Sequence, residues 1–325
     1  MRKLIIAGTV VALCVIALVA NMLWVDSRTR KAAPRDGGQV IDTQVVPANV
    51  TIEGVGPTIV LIHGFGAALD WWDNIAPGLA ADHRVIRIDL IGHGGTMAPR
   101  SGYSIERQAM LVSAILDRLG VDRFTVIGHS MGGEVATALA EINPQRIERI
   151  ILIDSPAIGE RGSFTIMTDA YFHRPVGELL SYFEGDDAIR RGLAQGFAPG
   201  FTVPDMFVDD VKQLTYSAFR QAHDESVTYR KTKPPYERIA ALKPLPPLLA
   251  IFGTRDAIIS PDDAKFFERV LGLAQIKAAP TTDTQRPGQH NSERVRVRSA
   301  GNSGSALRLS SGTRPSENGR HPRSW

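Results

Sequence analysis

The chain has 325 residues, 43% apolar and 22% charged, a composition that excludes a collagen-like or wholly disordered protein. Its formal charge of +3 is unevenly spread, because residues 285–325 hold eight arginines against only Glu293 and Glu317. The rest of the chain is net negative and gives no reason to expect a nucleic-acid partner, while a single cysteine, Cys14, excludes an intrachain disulfide.

The first element is an apolar run, "LIIAGTVVALCVIALVANMLWV", behind Arg2 and Lys3, with no charge from Leu4 to Val25. About 20 such residues cross a roughly 30 Å hydrocarbon core. The two cations would hold the N-terminus in the cytoplasm, and Trp24 stands where an interfacial aromatic belongs. A cleaved signal peptide is the other reading, since Val15-Ile16-Ala17 offers a small-residue site. Residues 1–25 are thus expected to be a membrane anchor or a signal peptide. The first leaves the main domain anchored outside the cytoplasm, the second secretes it. Residues 26–39, "DSRTRKAAPRDGGQ", are polar, basic and broken by Pro and Gly, as a linker is.

Short apolar runs then alternate with longer amphipathic stretches. The predicted strands are Thr58–Ile62, Val85–Asp89, Phe124–Ile127, Ile150–Ile153 and Leu248–Phe252, with Ala274–Pro280 as a last one. Nearly continuous apolar runs suit parallel strands covered on both faces. Ser104–Leu119 reads as a helix opening on a capping-box pattern, "SIER". The alternation predicts a doubly wound α/β fold. It breaks near Ala157 and resumes near Pro247. Residues 158–246, rich in aromatics and helical in period, are expected to form a helical cap over the sheet's carboxyl edge, leaving 40–157 and 247–280 as the core.

Within that core, "FTVIGHSMGGEVATALA" places Gly128-His129-Ser130-Met131-Gly132 between an apolar strand and an Ala-rich helix. This is G-x-S-x-G in the context the chemistry needs: a sharp turn exposes the serine, and small residues let the chain turn. The following helix aims its N-terminal N–H groups at developing negative charge. "TIVLIHGFG" ends another buried strand in a glycine-rich turn. The N–H groups of Phe65 and Met131 are therefore the expected oxyanion donors.

"HGFG", "DLIGHGGT", "GHSMGG" and "FGTRDAIISP" follow one another at spacings that resemble the α/β-hydrolase superfamily. The likeness runs over about residues 40–280 and is nearest to serine-nucleophile members with a helical cap, the esterase, lipase, haloperoxidase-like and carbon–carbon hydrolase group. It implies a mostly parallel, eight-stranded sheet with helices on both faces, and acyl transfer through Ser130. Asp256 matches the family acid, with Asp154 as runner-up. The resemblance makes "DLIGHGGT" a structural loop, so His93 is not expected to be catalytic.

The family's base follows one more strand, in a turn reading P-x-x-G-H. No Gly-His pair stands after Pro280. His63 and His129 lie in the two turns, His173 and His223 in the cap, and His83 before a strand at the wrong edge. His290, 34 residues past Asp256, is left as the candidate base, with His321 behind it. Residues 281–325 have a disordered composition rich in Arg, Ser and Gly. Codons permitted for Ala279–Arg286, read from their third base, include Pro-Asp-Asn-Gly-His-Ser-Ala, a turn of the family form. A frameshift near codon 280 would therefore account for the atypical C-terminus. No metal cluster or phosphate loop stands in the sequence, and Gly92–Gly95 does not fit G-x-G-x-x-G, so no cofactor is expected. The sequence predicts a serine hydrolase acting on an apolar or lipid-like ester, held to a membrane by its N-terminal segment. The alternative is an impaired homologue that only binds a ligand.

Overall fold

The computed structural model describes residues 2–159, 169–197, 200–253, 256, 258–271 and 276–279. An apolar helix, α1 (Arg2–Ser27), precedes strands β1 (Gln39–Ile41), β2 (Ala48–Glu53) and β3 (Thr58–Ile62). Then come α2 (Ala76–Leu79), β4 (Arg84–Ile88), α3 (Ile105–Arg118), β5 (Phe124–His129), α4 (Met131–Ile142) and β6 (Ile147–Ile153). The insertion that follows is helical: α5 (Asp169–Phe172), α6 (Val176–Leu180), α7 (Asp186–Leu193), α8 (Asp205–Gln213), α9 (Tyr216–Thr232) and α10 (Pro235–Ala240). The sheet resumes with β7 (Leu248–Gly253), α11 (Ala264–Leu271) and β8 (Ile276–Ala279).

All described strands lie in one mixed sheet, ordered β1-β2-β4-β3-β5-β6-β7-β8. β2 is antiparallel to both β1 and β4, and every other neighbouring pair is parallel. The parallel strands are apolar on both faces because both are covered. Val60 and Ile62 of β3 join Val126 and Leu152 in the core beneath α3 and α4. Ile59 and Leu61 point the other way, with Ile127 and Ile151, onto Trp72, Ala76 and Leu79. Side chains alternate along a strand, so a continuous apolar run serves two cores at once.

The helix predicted over Ser104–Leu119 is α3, and the Ser104 hydroxyl accepts from the Arg107 N–H at 3.2 Å. Only the serine half of a capping box is present. Its third helical position is Arg107, which cannot return the bond as an acid would.

Residues 28–38 lie against the core. Arg30 and Ala98 exchange backbone hydrogen bonds, and the Ala33 N–H donates to Gly95 at 2.9 Å. Arg35 ion-pairs with Asp210 of α8 at 2.9 Å. A polar, Pro- and Gly-containing composition leaves backbone groups free to pair, and here a core loop takes them.

Candidate active site

β5 passes into α4 through one residue, Ser130. Its φ of 51° lies in the left-handed region, uncommon for a residue with a side chain and a mark of a constrained turn. The turn is tied from both sides: the Ser130 N–H donates to Ile153 at 2.9 Å, and the Gly133 N–H donates to Ser130 at 2.8 Å. Its neighbours have no room for side chains. A Cβ on Gly128 would stand 2.3 Å from the Gly132 oxygen, and one on Gly132 2.3 Å from the Ile62 oxygen. The glycines of the motif are therefore steric requirements of the bend.

Two spaces open at Ser130. The larger, of about 290 Å³, has Trp71, Trp72, His129, Phe197 and Ile258 in its wall, with Asp154 and Asp256 also exposed to it. The smaller, of about 20 Å³, is bounded by Phe65, Met131, Pro156, His223, Ser226 and Arg230. It holds about one water. The structure thus brings Ser130, Phe65 and Met131 to one small chamber, and Ser130 and Asp256 to one larger cavity.

Asp256 accepts two backbone hydrogen bonds on Oδ1, from Ile258 at 2.7 Å and Ile259 at 3.0 Å. Burial pushes its carboxyl up, and those two N–H groups pull the other way. Asp154 has a φ of 43° and accepts from the Gly253 N–H at 2.6 Å, with burial again raising its carboxyl. Both candidate acids therefore reach the site, from adjacent strands.

The "DLIGHGGT" loop is a structural knot. Asp89 accepts from Asn49 Nδ2, Leu69 N–H and Gly95 N–H, each at 2.8 Å. His93 is fully buried beside His63, with ring centroids 5.2 Å apart. His63 stands at Gly64 O (2.7 Å) through Nδ1 and accepts from the Leu90 N–H (3.0 Å) through Nε2, which fixes the Nδ1–H tautomer. Removal from water lowers His63 to about 4 and His93 to about 3, so both are neutral. His129 is lowered by the same cause, opposed by the charge of Asp256. His290, His321 and the frameshifted turn lie outside the described residues.

One group of residues escaped the sequence reading. Glu134 of α4 is buried and accepts from Ser226 (2.6 Å) and Arg230 (2.6 Å) of α9, while Arg230 also donates to Ser226 at 2.7 Å. His223 stacks on Phe172 at 4.1 Å. The signal was available: Phe219, His223, Ser226 and Arg230 fall at spacings of four, three and four, one face of a helix. That face meets the back of the Ser130 turn.

A family described as alpha/beta hydrolase fold matches residues 57–272. An uncharacterized protein of Mycobacterium bovis is 39% identical over 107 residues, 33% of this chain and 31% of that protein. The 2-hydroxy-6-oxo-2,4-heptadienoate hydrolase of Pseudomonas putida is 28% identical over 190 residues, 51% of this chain and 68% of that enzyme. The chain thus spans about a third of the mycobacterial relative's length. Among solved structures, a bacterial membrane phospholipase A superposes with a TM-score of 0.61 at 19% identity, covering 86% of this chain and 91% of that one. At that identity the likeness speaks for the fold.

Proposed function

The chain belongs to the alpha/beta hydrolase fold family, and from that premise we propose a membrane-anchored serine hydrolase that cleaves carboxylic esters with an apolar, lipid-like acyl group. The observation that carries this reading is the strained Ser130 bend in the wall of a cavity of about 290 Å³ that Trp71, Trp72 and Phe197 also line. The serine hydroxyl attacks the ester carbonyl, the alcohol leaves, and water releases the acid from the acyl-enzyme. The N–H groups of Phe65 and Met131 receive the oxyanion; loss of one such donor typically costs about 10²–10³ in turnover. Asp256 holds the histidine base in the correct tautomer. This reading nominates His290 as that base.

α1 is the one described helix long and apolar enough to cross a membrane, over Ile5–Ser27. As an uncleaved anchor it keeps the hydrolase beside its lipid-derived substrate. As a signal peptide it would release it.

A fluorophosphonate probe tests the assignment. Covalent labelling is expected for the parent chain and is lost in Ser130→Ala; equal labelling of both refutes it. Turnover in an ester series should rise from acetyl to medium-chain acyl groups, and a maximum at acetyl would remove the lipid-like part.

The second reading, a homologue without a working base that binds ligand in the same cavity, is favoured by one observation. The family match stops at residue 272, before the position of the expected histidine. It predicts ligand binding without multiple turnover.

A further inference from the structure

We propose that the apolar surface of α6 and the turn after it is a second membrane contact, seated in the bilayer interface beside α1. The inference rests on the reading of α1 as an anchor, and takes a phospholipid bilayer as the occupant.

The surface is apolar and open. Val176, Leu179 and Leu180 of α6 are exposed, and so are Tyr182 and Phe183 behind it; Phe183 is 78% accessible. A phenylalanine so exposed is wasted in water, and five neighbouring residues of this kind form a patch.

Its position is fixed by α1. The outward side chains of that helix, from Ile5 to Val19, are exposed. Its last turns are docked. Asn21 accepts from the Tyr182 hydroxyl at 3.1 Å, and the rings of Trp24 and Tyr182 stack at 6.4 Å. Val25 is buried. Asp26 accepts from Ser217 of α9 at 2.9 Å and ion-pairs with Arg174, which also pairs with Glu178 of α6 at 2.9 Å. The insertion therefore grips α1 where its apolar stretch ends.

Depth follows from helix geometry. At 1.5 Å per residue, Leu4 to Asn21 spans about 26 Å, so a hydrocarbon core of roughly 30 Å closes near Asn21–Trp24. Tyr182 is bonded to Asn21 and shares its depth, with Phe183 next in the chain. Trp24 and Tyr182 then form the pair of interfacial aromatics expected at a membrane boundary. The apolar face of α6 is continuous with the lipid-facing surface of α1 at the level where acyl chains meet headgroups. This contact places the helical insertion, and the cavity beneath it, at the depth from which a lipid ester enters.

The chain's single cysteine, Cys14, makes the test direct. On a Cys14→Ser background, full-length protein carries one nitroxide label at Phe183→Cys, at Ile16→Cys, or at Val55→Cys. Val55 is 83% exposed, in the turn before β3, at the opposite end of the parallel strands from Ser130. Each protein is reconstituted into phosphatidylcholine–phosphatidylglycerol vesicles, and label collisions with oxygen and with a water-soluble nickel chelate are measured by electron paramagnetic resonance. Oxygen should dominate at 16, the chelate at 55, and position 183 should fall between them with oxygen ahead. A lipid-like 16 with a 183 indistinguishable from 55 overturns the proposal while the anchor stands. A 183 shielded from both reagents and dipolar-broadened also overturns it, because a second copy of the chain then covers the patch. A water-like 16 removes the anchor reading, and this proposal with it.

Discussion

Ser130 is legible in the sequence because its surroundings are local: a strand, a turn that demands glycine, and a helix, all within "FTVIGHSMGGEVATALA". The candidate acid is less so, since Asp154 and Asp256 both follow strands and only the folded sheet brings them to one cavity. Asp256 spends Oδ1 on two backbone donors, Ile258 and Ile259, so Oδ2 is the oxygen the proposed histidine base would take. Asp154 spends its Oδ1 on Gly253, stitching β6 to β7. Asp256→Asn is accordingly expected to slow fluorophosphonate capture by Ser130 by about 10³–10⁴, and Asp154→Asn by less than tenfold. Stopped-time labelling of the two variants decides it. The reverse ranking moves the acid to Asp154, and two equally small effects indicate that no histidine base is working.

At the scale of elements, the apolar parallel strands announced themselves, and β1 and β2 did not. β1 has three residues, and β2 carries Asn49 and Thr51, buried polar groups whose bonds are made elsewhere in the fold: Asn49 with Asp89, Thr51 with Arg87. No periodicity in a single sequence marks such positions as interior. The same limit applied to α4 and α9. Glu134 and Arg230 lie 96 residues apart, and each reads alone as a surface charge. In the fold they are a buried pair, and Glu134 is held by both Arg230 and Ser226. Arg230→Met removes one partner and leaves a carboxylate in the interior, at an expected cost of about 3–5 kcal/mol in unfolding free energy. The double variant Glu134→Gln, Arg230→Met should recover a good part of that loss. Urea denaturation of the single and double variants measures both.

The whole molecule has a pH-sensitive joint where three of its parts meet. Asp210 of the insertion accepts from Trp71 of the core at 2.9 Å and pairs with Arg35 of the segment after α1. Asp70 lies close enough to repel it. Removal from water, and then the charge of Asp70, push Asp210 up to about 7 despite Arg35. Removal from water, and then Asp36, push Asp70 to about 6. An unfolded aspartate releases its proton near pH 4. Between pH 4 and 7 the folded chain therefore holds protons that the unfolded chain has lost, and stability contributed by these groups falls as pH rises through that window. The thermal midpoint should be higher at pH 5 than at pH 8, and Asp210→Asn should flatten the difference. A midpoint that climbs over this range contradicts the assignment. Nothing in the sequence flags the joint, because Arg35, Asp70 and Asp210 belong to three separate stretches of chain.

α9 begins beside α1 and ends behind the Ser130 turn. Ser217, near its start, holds Asp26, and Arg230, near its end, holds Glu134 on α4, the helix that follows Ser130. Seventeen residues of α-helix make a strut of about 25 Å. A strut tied at both ends gives two distant places one support: the seat of α1's last turn and the wall of the chamber at Ser130 are held by the same helix.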